Sequence, residues 1–386
     1  ISAKGGAESG NGGFIETSGK NHLNLTSTPD ASSPNGDGGE WLIDPADITI
    51  VQGSPPVISV AAIDFGTSIV YADLVNSALT NGTSVIMDTS TLVDDQQGNI
   101  TQNSDATITM LNTVAEEAFT ATLTMNANNS IFLNGVIEVS IDDAFPDAQL
   151  NVELNADIDG SGDGAIVMNP GSQISTNGGN VSMHGVGTVQ NDDGILLNSA
   201  TINTDGGDIS LTGTGSGGNS NSYGILIFSS ALRSGTGSIA LSGFGGGDTG
   251  IFNRGINIQD GSILESTGMG GIALSGFGGS GTDSLLGLFL DSSTIRSEQG
   301  DIGLSGFGGK GTGSNNFGIA IQTGTTIEST GNGNISISGD GGSGTSNLNG
   351  IFLHSSTIKS GEGNIALSGF GGNGTGTFNR GLIIQA

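Results

Sequence analysis

The sequence predicts an all-β fold, a parallel β-helix whose coils each hold three short strands, and three observations lead there. The first is a repeat. Gly224-Ile-Leu-Ile-Phe-Ser-Ser-Ala-Leu-Arg233 returns as Gly287-Leu-Phe-Leu-Asp-Ser-Ser-Thr-Ile-Arg296 and as Gly350-Ile-Phe-Leu-His-Ser-Ser-Thr-Ile-Lys359, a period of 63 residues (287 − 224). A sister pattern lies between these at the same period: Gly255-Ile-Asn-Ile-Gln259, Gly318-Ile-Ala-Ile-Gln322 and Gly381-Leu-Ile-Ile-Gln385. A fixed period of this kind marks stacked units that share one continuous core. The second is local alternation: Ile195-Leu-Leu197, Thr201-Ile-Asn203 and Asp208-Ile-Ser-Leu211 are short apolar-alternating runs bounded by Gly and Asn/Asp turns, and no helical period accompanies them. The third is composition, with 71 Gly, 7 Pro, no Cys and 34% apolar residues in 386 positions, enough for a narrow core and too little for a wide one.

Along the chain, residues 1–52 read as β-helix coils, with Gly12-Gly-Phe-Ile-Glu-Thr-Ser-Gly19 as their densest strand signal and a turn-rich break from Pro29 to Gly39. Residues 53–165 form an irregular region. Its one helix signal is Tyr71 to Leu79, where Leu74, Val75, Ala78 and Leu79 share a face and Asn81-Gly82 supplies the stop. Strand signals follow at Ser84–Met87, Ala106–Met110, Ala121–Met125, Ile131–Leu133 and Leu150–Leu154. Residues 166–386 form the regular array. Its coil-starting glycines stand at 194, 224, 255, 287, 318, 350 and 381, with spacings of 30 to 32.

Two columns follow if the coils stack in register. Arg233, Glu265, Arg296, Glu328 and Lys359 occupy the same outward position of successive second strands and alternate in sign, so a one-coil slip would set like charges together. Phe244, Phe277, Phe307 and Phe370 recur in Leu-Ser-Gly-Phe-Gly-Gly, interrupted at Asp340. They read either as a stacked ladder closing each coil or as an exposed carbohydrate-binding stripe. The loops Thr214–Tyr223 and Lys310–Phe317 are the expected contact sites, because rigid coils hold them in a row.

Charge limits the partners. Eight Lys and Arg against 37 Asp and Glu leave a net charge of −29, which argues against nucleic acid and anionic lipid surfaces. No run approaches the roughly 20 apolar residues of a membrane span, so no membrane insertion is expected. The sequence opens inside a Gly-rich pattern and ends within a repeat, and it reads as an internal fragment.

The candidate chemistry is sparse. Asp157, Asp159, Ser161 and Asp163 have the alternate-oxygen spacing of the first half of a calcium loop, with Gly162 at the sharp turn but Met168 where the twelfth-position acid belongs. They read as a Ca2+ site or as an acidic solvated turn, and no other cofactor is indicated. Gly306-Phe-Gly-Gly-Lys310 lacks the spacing of a phosphate loop. Asp94-Asp95, Asp142-Asp143 and Asp192-Asp193 are adjacent pairs whose side chains would diverge in a strand, and His22, His184 and His354 are scattered. Asn-x-Ser/Thr sequons stand at Asn24, Asn81, Asn99, Asn128, Asn180, Asn334 and Asn373, most of them accidental in so polar a composition.

Gly12-Gly-Phe-Ile-Glu-Thr-Ser-Gly19, with Gly39-Glu-Trp-Leu-Ile-Asp-Pro45 and Asp47-Ile-Thr-Ile50, resembles the motif pair of large two-partner secretion exoproteins. These are the filamentous haemagglutinins and high-molecular-weight adhesins of Gram-negative bacteria, and the likeness is strongest to cyanobacterial members. The resemblance implies a right-handed β-helix, export through an outer-membrane transporter that reads an N-terminal domain not found in this sequence, and a secreted or cell-surface adhesin. Its ligand would be a host cell, a carbohydrate or an abiotic surface. The expected function is attachment without catalysis. The alternatives are a polysaccharide-degrading β-helix lyase or hydrolase, and a passive stalk for an effector domain elsewhere.

Overall fold

The computed structural model describes residues 1–19, 22–55, 68–90, 97–111, 119–140, 148–188, 193–217, 220–247 and 249–385. They form a parallel β-solenoid with one short helix. The chain divides into two compact units, residues 1–161 with 168–182, and residues 162–167 with 183–386. The boundary expected after residue 52 falls inside the first unit, and the one expected after residue 165 falls within the short stretch 162–167 that belongs to the second.

In the first unit, Phe14–Gly19, Glu40–Pro45, Ser84–Asp88, Thr120–Asn126 and Gln149–Asn155 pair in parallel as one sheet. Ser68–Tyr71, Ile48–Val51, Ile100–Gln102 and Ile131–Leu133 form a second sheet. Thr107–Leu111, Val136–Ser140 and Gln173–Ser175 form a third. Alternate residues of each strand, such as Ala121, Leu123 and Met125, point inward and are fully buried. The two sequence motifs prove to be neighbouring strands in register, Phe14 opposite Glu40 and Gly19 opposite Pro45. Trp41 is buried between them and its Nε1 donates to Thr17 Oγ1 at 2.9 Å, which satisfies the indole N–H inside the core. The helix spans Ala72–Thr80 and buries Leu74, Val75, Ala78 and Leu79, the face read from the sequence, while Gly82 ends it at φ 79°.

In the second unit the first strands stack from Ile195–Asn198 to Leu382–Gln385, the second from Thr201–Asn203 to Thr357–Ser360, and the third from Ile209–Thr214 to Ile365–Phe370. Columns of Ile and Leu fill the interior; Ile225, Ile227, Leu232, Ile239 and Leu241 are all buried. Each coil turns closely, because the glycine in the third strand lies against the backbone of the following coil start. A Cβ at Gly276 would stand 2.2 Å from the Gly287 carbonyl oxygen.

The coils that alternate at 31 and 32 residues differ at the first corner. Coils with a Ser-Ser corner place one residue at positive φ, as at Ser229 (48°) and Ser292 (49°). Coils with an Asp-Gly or Thr-Gly corner place two in succession, Asp260 (58°) with Gly261 (76°) and Thr323 (53°) with Gly324 (76°), and so have one more residue between their first and second strands. One coil of each kind makes the 63-residue unit.

The structure differs from expectation in the loops. They carry a fourth ladder of two-residue strands, Ser280–Gly281, Lys310–Gly311, Ser343–Gly344 and Asn373–Gly374, paired coil to coil. Leu285 and Leu348 are fully buried within them. Periodicity did not reveal this ladder, because two-residue strands made of Gly, Ser, Lys and Asn carry no apolar alternation.

The stacked core predicts that Ile319→Ala lowers unfolding stability by about 2–5 kcal/mol, as for other buried large-to-small changes. Gly276→Ala should also be destabilising, by steric conflict rather than a cavity. Urea unfolding of both variants checks this.

Candidate functional site

The outward side chains of the second unit stand in columns because every residue sits over its equivalent one coil away. The charge column is continuous. Arg233 pairs with Glu265, Glu265 with Arg296, Arg296 with Glu328 and Glu328 with Lys359 in strand register. The ion pairs measure 3.3 Å for Arg233–Glu265, 3.7 Å for Arg296–Glu265, 3.2 Å for Arg296–Glu328 and 2.8 Å for Lys359–Glu328. Each glutamate thus lies between two cations. The hydrogen bond from Lys359 holds the Glu328 carboxyl below the usual carboxylate range, helped by the charges of Lys359 and Arg296 and opposed by desolvation.

The aromatic column lies on the outer face of the third strands. Phe244, Phe277 and Phe307 stack nearly parallel, with centroids 4.9 Å apart at interplanar angles of 4° and 6°. That distance is the spacing of neighbouring strands, so coil pitch sets the stack. Asp340 stands in register between Phe307 and Phe370, which leaves Phe370 apart. Phe244 and Phe307 are 39% and 38% exposed. The rings are therefore an external ladder, yet within it their faces cover one another and mainly edges meet solvent. A sugar ring stacks on a free aromatic face, and this geometry offers one only at the ends of the ladder. Beside the ladder runs a shallow groove of about 500 Å³ floored by small side chains such as Ser242, Ala273, Ser275 and Ser305.

Two polar features of the repeats escaped the sequence reading. Asn253 is fully buried; its Oδ1 accepts from the Ser222 N–H at 3.1 Å and its Nδ2 donates to the Ser280 carbonyl at 2.9 Å, so one amide ties three successive coils. Asn316, 63 residues on, does the same between Leu285 (3.0 Å) and Ser343 (2.7 Å), and Asn379 accepts from Leu348 at 3.1 Å. The recurrence of Asn at 253, 316 and 379 is visible in the sequence, but Asn is so common there that the period does not stand out. The second feature is Arg254, only 9% exposed, with its guanidinium 3.8 Å from the Phe289 ring centroid, 5.3 Å from Phe252 and 5.9 Å from Tyr223. Burial lowers its pKa and raises that of Tyr223, each group partly countering the other's desolvation. Residues just before the coil glycine thus lie over the outward side chain of the next first strand, as Phe317 also does over Phe352. The described residues of the loops Thr214–Tyr223 and Lys310–Phe317 accordingly mix buried positions, such as Ser222 and Asn316, with exposed ones, such as Asn221 and Lys310.

In the acidic turn, the Ser161 N–H donates to Asp159 Oδ1 at 3.0 Å and the Ser161 hydroxyl to Asp157 Oδ1 at 3.1 Å, an arrangement that folds the loop on itself. Among the described residues no group of three or more His, Asp or Glu side chains is close enough to hold a metal ion. Asp94, Asp95, Asp142, Asp143 and Asp192 lie outside the described residues. His354 stacks against Phe352 at 6.1 Å, on the outward side of its first strand. No described helix is long and apolar enough to cross a membrane.

The two polar columns predict different energetics. Asn316→Ala strands the Leu285 N–H and the Ser343 carbonyl in a buried site and should lower stability by about 1–3 kcal/mol for each group left unpaired. Glu328→Gln should cost at most about 1 kcal/mol at pH 7, since the pairs are partly exposed and screened. Because the Glu328 carboxyl is depressed in the folded state, its contribution is present above the ordinary carboxylate range and disappears as pH falls through the folded value. The stability difference between wild type and Glu328→Gln should therefore shrink as pH falls below the ordinary carboxylate range. Chemical unfolding at pH 7 and pH 3 measures both effects. No protein-family model matches the chain and no curated protein matches it, so the site's own geometry carries the functional argument.

Proposed function

We propose that the chain is a segment of a secreted, surface-displayed attachment protein of a Gram-negative bacterium, of the filamentous haemagglutinin type and similar to cyanobacterial members. It is exported through an outer-membrane two-partner transporter and works without catalysis, by holding a repetitive β-helical surface against a host cell, a carbohydrate or an abiotic ligand. The observation that supports this reading most is the outward face of the third strands. There a stack of three phenylalanines and a groove of small side chains run along successive coils, while buried amides lock the loop backbone in every second coil. Rigid repetition at a fixed spacing suits many weak contacts made in parallel, where each bound contact raises the effective concentration of the next. The paired motif strands, joined by Trp41 and Thr17, lend support to the family reading, since they tie both motifs to one structural purpose.

Latex beads carrying the purified chain should be retained on epithelial monolayers, glycan-coated plates or bare polystyrene several-fold above albumin-coated beads. Retention no greater than albumin on every surface contradicts the proposal and favours a passive stalk. Release of reducing or unsaturated sugar ends from alginate or pectin by the chain would replace it with a lyase or hydrolase.

A further inference from the structure

The first unit contains a cleft of about 710 Å³ that the repeats do not need. One wall is the turn-rich segment after Pro29, the other the last turn of the helix with Phe119. The walls are held together by a backbone contact that admits only glycine: a Cβ on Gly38 would lie 1.7 Å from the Gly82 carbonyl oxygen. The volume falls within the roughly 300–1,000 Å³ of small-molecule clefts.

The polar groups of the cleft are oriented in advance. Asp30 accepts the Ser32 hydroxyl at 2.6 Å and the Ser32 N–H at 3.1 Å, and pairs with Lys4 at 2.9 Å. Those Ser32 bonds, with Lys4 beside them, keep its carboxyl below the usual range against the opposing effect of burial. Asp37 is fixed reciprocally by Asn11, whose Nδ2 donates to Asp37 Oδ2 at 3.1 Å and whose Oδ1 accepts the Asp37 N–H at 3.0 Å, leaving Oδ1 of Asp37 as an acceptor for something else. The Thr80 and Ser84 hydroxyl oxygens accept the Leu111 and Thr122 N–H groups, so their own protons remain to be donated into the cleft. Among the described residues the Asn81 amide has no partner, and it offers both a donor and an acceptor at the rim. Phe119, half-buried, adds an aromatic surface to the same cavity.

Donors and acceptors interleaved around one aromatic ring match a ligand whose every group both donates and accepts and whose body is a C–H face. That is a pyranose. Two carboxylates against one lysine, in a chain of net charge −29, disfavour uronic and sialic acids. We propose that this cleft binds an uncharged hexopyranose unit of a glycan, with Asp37 and Asn81 on its hydroxyls and Phe119 on its C–H face. The inference rests on the attachment reading only for its biological use, and free saccharides test it separately from retention on surfaces.

The fluorescently labelled chain is applied to an array of neutral and acidic glycans, and the best neutral hit is titrated by calorimetry against wild type, Asp37→Asn, Asn81→Ala and Phe119→Ala. Glu328→Gln in the charge column serves as the control, and thermal melts confirm that each variant is folded. The expected result is binding to neutral glycans, at least about tenfold weaker in Phe119→Ala and Asp37→Asn and unchanged in Glu328→Gln. No binding above background, binding confined to acidic glycans, or equal affinity in the cleft variants overturns the proposal. If Asp37→Asn fails to fold, Phe119→Ala and Asn81→Ala decide alone. Bead retention that persists when no free saccharide binds leaves attachment standing and removes only this cleft.

Discussion

Parallel pairing between coils is the constraint from which the rest of the second unit follows. Each strand hydrogen-bonds to its equivalent one coil away, so every side chain stands about 4.8 Å from the side chain at its own position in the next repeat. Stacking like on like suits Ile and Leu inside and phenylalanine rings outside, because both gain contact from identical neighbours. It is unfavourable for charges. Arg233, Glu265, Arg296, Glu328 and Lys359 answer this by alternating in sign, and that alternation requires two kinds of coil. The corners differ accordingly, Ser-Ser in one kind and Asp-Gly or Thr-Gly in the other, as do the buried amides, which recur in every second coil.

Much of this was legible in the sequence. The three main strands of the regular coils, several strands of the first unit, the buried face of the helix and the sign alternation express periods of 2, 3.6 or 63, and periodicity is what burial imposes on a chain. Short strands such as Ser68–Tyr71, Ile100–Gln102 and Gln173–Ser175 were not read. The buried polar parts were not legible. Asn253 and Asn316 are placed by the hydrogen-bond needs of loop backbone, which depend on coil-to-coil geometry and leave no apolar signature. Arg254 would ordinarily read as a solvated cation, and only the arrangement of Phe252, Tyr223 and Phe289 around it explains its burial. The phenylalanine column was visible as a column. Whether its faces were free for a ligand was a matter of ring orientation, which stacking at the coil spacing decides.

The two units therefore lend themselves to different recognition. The regular coils offer one weak surface many times, with the faces of its aromatic rings already used against each other. The first unit, irregular because a helix and a turn-rich segment interrupt its strands, holds a concave cleft lined by polar groups. Under the proposed attachment role, the repeated face would supply avidity and the cleft selectivity.

The claim that two coils, and not one, form the structural unit is tested most directly by deletion. Removing residues 287–349 takes out one 63-residue unit and sets Glu265 beside Lys359 and Leu285 beside Asn379, so every column keeps its partners. Removing residues 287–317 takes out one coil, sets Glu265 against Glu328 and leaves the Leu285 N–H facing Leu348 in place of Asn316. Urea unfolding of the two deletions should show the 63-residue variant close to wild type in stability and the single-coil variant weaker by about 2 kcal/mol or more. Equal stability of the two deletions, or a stronger single-coil variant, would contradict the account.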